Sequence, residues 1–160
     1  MTQGVLRNGD IMLTAPKGPL LAWFCARIQQ PLDGWESASL IARVRGLLPV
    51  VVIVYDHFHQ PDIWMHIGAE PGRIWCTPDF LHHIFNYPFG QLNCGRVTAF
   101  IARSNTRLRK LVLHLGFTEE GQLRESLPTG DDLIAYGMLR RECRWIGALH
   151  ESTPSNTGAA

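Results

Sequence analysis

The spacing of hydrophobic positions changes period several times along the chain, and each change predicts an element. Ile11 to Thr14 is a short apolar run between Asn8-Gly9-Asp10 and Ala15-Pro16-Lys17-Gly18-Pro19, which makes it a first strand between turns. From Leu20 to Gln30 the period lengthens. Leu20, Phe24 and Ile28 recur at i+4, Leu21 and Trp23 widen the stripe, and Pro31 forbids continuation, so this is a helix. After a loop at Asp33-Gly34-Trp35-Glu36, alternation returns from Ser37 to Arg45 with Ala38, Leu40, Ala42 and Val44 on one face. Gly46 then turns the chain into the apolar run Leu48 to Tyr55, giving a hairpin of one half-buried and one deeply buried strand. A fourth strand runs from Ile63 to Gly68, with Ile63, Met65 and Ile67 on one face and Trp64, His66 and Gly68 on the other.

The second half is punctuated more sharply. Thr77-Pro78-Asp79 opens a helix: a residue able to cap, a proline at the first helical position, and an acid at the positive end. Phe80, Leu81, Ile84 and Phe85 form its buried face, and Tyr87-Pro88-Phe89-Gly90 ends it. Val97, Ala99 and Ile101 alternate with Arg96, Thr98, Phe100 and Ala102 in a fifth strand. Ser104 or Asn105 then caps a helix whose apolar stripe is Leu108, Leu111, Val112 and Leu115, with Arg107, Arg109 and Lys110 away from it. Gly116 stops that helix in the left-handed conformation, and two closing strands follow. The fold class is α/β (α+β), a mixed sheet with helices on its faces.

A length of 160 residues suits one core, predicted here over residues 1–150, with the small polar stretch Glu151 to Ala160 as a disordered tail. A net charge of +1 sets up no field that would by itself recruit nucleic acid or an anionic membrane. Cys25, Cys76, Cys94 and Cys143 contain no C-x-x-C pair, so reduced thiols in a cytoplasm are the simplest account. The longest apolar run, Leu47 to Tyr55, is about half of what a bilayer span needs and contains Pro49. His57, His59 and His66 offer two donors from a turn and one from a strand, with no carboxylate or cysteine at a compelling spacing, so no metal site is assigned.

Asn105, His114-Leu115-Gly116-Phe117, Glu120-Gly121 and Leu123-Arg124 resemble the second half of the GNAT N-acetyltransferases. With Tyr87-Pro88-Phe89 and Tyr136-Gly137-Met138-Leu139-Arg140 in the same order, the chain looks most like the small GNAT proteins of phages and prophages. The resemblance implies a mostly antiparallel central sheet that splays between the fourth and fifth strands, helices on both faces, and the family's second helix reduced to a loop. It also implies acetyl-CoA in the splay as cosubstrate, an amine as acceptor, and contacts from Ile67, Gly68, Arg73, Trp75, Cys76 and Thr77, then from Asn105, Arg107 and Arg109. Departures are visible. The family's phosphate loop, started at Arg73, has Cys76 and Pro78 where glycines are expected, and Val112 stands where many members carry a tyrosine acid.

Amide formation needs a group to take the amine's proton and one to protonate the leaving thiolate. His66 is the first candidate base, followed by Asp56 and His57 at the preceding turn; Tyr136 is a substitute acid if its hydroxyl faces the cleft, and a core tyrosine otherwise. Asn105 reads equally as a plain helix cap, and Arg73 as a solvated loop residue. Two function classes follow: an acetyltransferase acting by direct attack in a ternary complex, or a catalytically inactive GNAT-shaped protein of phage origin that binds a host partner. An exposed Trp145 in the segment Arg140 to Trp145 could join a homodimer edge.

Overall fold

The computed structural model describes residues 3–147. The tail read as disordered from Glu151 onward lies outside the described residues. Eight strands form one sheet: β1 (Gln3–Val5), β2 (Ile11–Leu13), β3 (Ser39–Arg45), β4 (Leu48–His59), β5 (Asp62–Ala69), β6 (Arg96–Ala102), β7 (Thr118–Leu123) and β8 (Leu133–Leu139). Helix α1 (Lys17–Ile28) connects β2 to β3, α2 (Pro78–Asn86) connects β5 to β6, and α3 (Thr106–Leu115) connects β6 to β7. The strand order is β1-β2-β3-β4-β5-β6-β8-β7, and all neighbours are antiparallel except β5 and β6.

Alternation on the strands sorts side chains into two cores. Leu40, Ala42 and Val44 of β3, with Val52 and Val54 of β4, pack under α1 against Leu20, Leu21 and Phe24. The opposite face carries the larger core, where Ile53, Ile63, Met65, Val97, Ala99 and Tyr136 meet Phe80, Ile84 and Phe85 of α2 and Val112 and Leu115 of α3. Gly68 lets α1 pack closely: a Cβ there would lie 2.7 Å from the Phe24 ring. Gly116 takes φ 112°, and the N–H groups of Gly116 and Phe117 return to Leu113 O and Val112 O, closing α3.

Four expectations change. Gln3–Val5 is a strand, paired with β2. β3 is buried on both faces, because Arg43 turns inward and is fully buried, its Nε donating to Asp10 at 2.6 Å. β4 runs on to His59, with an irregularity between Asp56 and His59 and His57 at φ 48°. Trp145 is half-buried rather than exposed: it packs on the larger core and its Nε1 donates to Leu115 O at 2.8 Å. Among the described residues no helix is long and apolar enough to cross a membrane.

Candidate active site

β5 and β6 pair only at their beginnings, Asp62↔Arg96, Ile63↔Val97 and Trp64↔Thr98. β5 continues to Ala69 against β4, and β6 continues to Ala102 against β8, so past Trp64 the two strands diverge and their facing peptide groups have no ladder partner. The divergence opens a cleft of about 1250 Å³. One end is walled by Trp35, Trp64, His66 and Phe100, on the face that α1 covers in part; the other is walled by Arg73, Trp75, Cys76, Asn105, Arg107 and Lys110.

His66 is placed by its strand position and fixed by its partner. Its Nε2 lies 2.7 Å from Asp56 Oδ1, across the β4–β5 ladder, and Asp56 Oδ2 lies 3.0 Å from His57 Nδ1. Burial alone would raise the Asp56 pKa, but the hydrogen bonds and charges of His66 and then His57 outweigh it and hold this carboxyl below its ordinary value. An ionised Asp56 accepts, so His66 Nε2 donates, and in the neutral ring this leaves the lone pair on Nδ1. Nδ1 has no hydrogen-bond partner among the described residues, and the side chain is 22% exposed to the cleft. An oriented imidazole, a largely covered carboxylate behind it and an open face in front make a group chemically able to take up a proton.

The start of α2 departs from an anion site. Pro78 has no N–H, Phe80 N donates to Asp79 Oδ1 at 2.9 Å, and Asp79 Oδ2 accepts from Arg7 N at 2.8 Å. Burial works against ionisation of Asp79, yet the Thr77 hydroxyl and the two backbone N–H groups keep its pKa lowered. A carboxylate thus sits where a phosphate would be received. Thr77 stands at the N-cap position without a side-chain cap bond and is not among the residues that line the cleft: its hydroxyl donates to Asp79 at 2.5 Å and accepts from Arg43 at 2.8 Å. Arg43 also holds the Trp75 carbonyl, at 2.6 Å, and so pins the loop from beneath. Burial pushes the Cys76 thiol up to about 11, against the opposing charge of Arg43.

Of the residues predicted for this site, His66, Ile67, Gly68, Arg73, Trp75, Cys76, Asn105 and Arg107 line the cleft. Asp56 stands behind His66. Tyr136 and Arg109 face the other way. Tyr136 is fully buried and its hydroxyl accepts from Arg109 Nε at 2.9 Å, while Arg109 also donates to Arg103 O at 3.1 Å, so both are spent on α3 packing. Asn105 caps α3, accepting from Leu108 N at 3.2 Å, and lines the cleft as well. Trp35, Phe100 and Arg27 also line the cleft, beyond the residues that the sequence points to. Trp35 was the one legible signal, an aromatic in a polar loop, but its contact with the His66 ring is made through the fold and not through local sequence.

No protein-family model matches the chain, and no curated protein matches it significantly. Solved structures do. The ribosomal-protein-S5-alanine acetyltransferase from Vibrio fischeri superposes with a TM-score of 0.69 at 12% identity, over 91% of this chain and 99% of that one. The spermidine/spermine N-acetyltransferase SpeG from Vibrio cholerae, in complex with manganese ions, gives 0.63 at 14% identity, over 81% and 91%. The fold is that of the GNAT acetyltransferases. At these identities the likeness is one of fold, and within the GNAT fold the strand splay is the place where this chain has its cleft.

Proposed function

We propose that this chain is an acetyl-CoA-dependent N-acetyltransferase working by direct attack of a primary amine in a ternary complex. One observation carries the reading: the cleft between β5 and β6 joins a carboxylate-backed imidazole at one end to unpaired cationic side chains at the other. Among the described residues Arg73, Arg107 and Lys110 make no salt bridge, and all three line the cleft. The donor set fits a polyanionic cosubstrate through these side chains and Asn105, in place of the backbone amides that Asp79 occupies. Acetyl-CoA supplies the activated acyl group. His66 Nδ1 takes one proton from the amine as the new C–N bond forms and the C–S bond breaks, and the departing thiolate recovers a proton, so no net proton is consumed. The fold neighbours, an alanine acetyltransferase and a spermidine acetyltransferase by name, support acyl transfer at this general level.

The test has two arms. Calorimetry with acetyl-CoA should show saturable binding that weakens with added salt, because side-chain cations do the holding. His66→Gln should lower kcat for acetylation about 10²–10⁴-fold with acetyl-CoA affinity retained. Absence of acetyl-CoA binding at millimolar concentration sinks the reading and leaves a GNAT-shaped interaction protein.

A further inference from the structure

The two ends of the cleft differ in chemistry. At the α1 end, Trp35 meets the His66 ring edge-on at 5.1 Å, and Phe24 meets Trp35 edge-on at 5.3 Å. Trp64, two residues before His66 on the same face of β5, meets Phe100 of β6 at 4.8 Å. His57 stacks on Trp64 at 4.0 Å with the rings 17° apart, which fixes the indole plane. One indole thus contacts the imidazole and a second lies on the same strand face two residues away, with the Phe100 ring against it.

Charge is distributed the opposite way. Among the described residues lining the cleft, Glu70 is the one carboxylate, and Arg27 pairs with it. Near the start of the β5–β6 seam, Asp62 accepts from the Thr98 hydroxyl at 2.8 Å, and Glu120 is engaged by Arg96. A polyamine brings two or more ammonium groups out of water, and each needs an acceptor or counter-charge to be held there. The carboxylate nearest this wall, Asp56, is already engaged by His66 and His57, so apart from His66 Nδ1, which meets the reacting amine, the side chains of the wall leave no acceptor or counter-charge for a second ammonium group. The wall supplies aromatic faces and edges, which suit a flat apolar body and favour offset or edge-on ring contacts.

Resting on the reading of the cleft as an N-acetyltransferase site, we propose that the acceptor is a monoamine carried on an aromatic or heteroaromatic body. The body lies against Trp35, Trp64 and Phe100 while its amino group meets His66, and polyamines are poor acceptors.

The experiment uses the full chain with 2-phenylethylamine, tryptamine, n-propylamine and spermidine. Acetylation should show kcat/KM for the two aryl amines at least tenfold above propylamine, with spermidine lowest. Titration calorimetry without acetyl-CoA should show saturable binding of 2-phenylethylamine. That binding should weaken at least tenfold in Trp64→Ala and less than threefold in Trp64→Phe, with the acetyl-CoA dissociation constant reporting that the variants are folded. Phe100→Ala, at a half-buried ring, gives an independent readout if Trp64→Ala does not fold. Spermidine matching or exceeding the aryl amines overturns the proposal, as does 2-phenylethylamine affinity indifferent to Trp64 and Phe100. The two readings fail separately. Aryl-amine binding that depends on Trp64, in a protein that does not bind acetyl-CoA, removes the transferase reading and leaves the aromatic amine site. Acetyl-CoA binding with spermidine as the favoured acceptor does the reverse.

Discussion

Replacing Asp10 with asparagine removes the counter-ion of a fully buried guanidinium. Arg43 Nε lies 2.6 Å from Asp10 Oδ2, Asp10 itself is 5% exposed, and Arg43 Nη2 is buried with no partner, so no other carboxylate takes over. Breaking a buried pair from one side typically costs about 3–5 kcal/mol, because the remaining charge stays desolvated. Arg45, the other partner of Asp10, is 42% exposed and rehydrates, so the loss falls on Arg43. For a domain of this size each kcal/mol moves Tm by about 2–4 °C, so D10N should melt roughly 6–20 °C lower. Removing both charges, as D10N/R43M, should regain at least about 1.5 kcal/mol over D10N alone, since no buried cation is then left without a counter-ion. The Trp75 carbonyl keeps a donor in that variant, the Thr77 N–H at 2.9 Å.

The pH dependence has a definite sign. Hydrogen bonds from Arg45, set against burial and joined by those from Arg43 and Asn8, hold Asp10 well below the usual carboxylate range. A depressed folded pKa contributes stability that is complete above the unfolded value, near about 4, and is lost as pH falls below it. The gap between wild type and D10N should therefore be widest at neutral pH and close progressively below about pH 4. Urea unfolding of the three proteins at pH 7 and pH 3.5 reads all of this. A D10N cost under about 1 kcal/mol, or a double variant less stable than D10N, refutes the claim that Asp10 exists to neutralise Arg43.

Three further outcomes can be checked with simple measurements. Gly68→Ala places a Cβ 2.7 Å from the fully buried Phe24 ring and should cost about 1–3 kcal/mol in thermal or chemical unfolding, the range for overpacking a core. Asn105→Ala removes the acceptor for Leu108 N and should cost about 1 kcal/mol, the ordinary worth of an N-cap; a larger fall in acetyl-CoA affinity than in stability would mark its second role. With its thiol raised to about 11, Cys76 should react with iodoacetamide at pH 8 on the order of a hundredfold more slowly than an unperturbed thiol, measured by peptide mass mapping of the native protein.

What the sequence made legible was whatever short-range physics decides. Asn105 and Gly116 bracket α3 because a side-chain acceptor and a left-handed glycine act within one turn. Phe80, Leu81, Ile84 and Phe85 are the buried face of α2 because helical spacing leaves them no other. His66 and Gly68 reached the cleft for the same reason, since strand alternation fixes which face a residue serves. The misreadings involve partners far apart in the chain. Arg43 interrupts an apolar alternation and reads as an outward residue until Asp10 is brought beside it. Thr77 has the composition of a cap, but Arg43, remote in the sequence, donates to its hydroxyl at 2.8 Å, and Asp79 takes the backbone N–H that a cap would. Tyr136 and Arg109 each look available for chemistry, and each is occupied by the other.

The short pairing of β5 with β6 also bears on how the molecule holds together. β1 to β5 with α1 come from one unbroken stretch of chain, residues 3–69, and β6 to β8 with α3 come from another, residues 96–139. Three residue pairs of sheet, the Asp62–Thr98 hydrogen bond, the Trp64–Phe100 contact, the α2 connection and the shared core beneath it join them. Most ladder contacts thus lie within one part or the other, and few cross between them. A ligand in the cleft touches both parts at once, so its binding energy also holds them together: saturating it should raise amide-exchange protection in Ile63 to Ala69 and Val97 to Ala102 together, as a single cooperative unit.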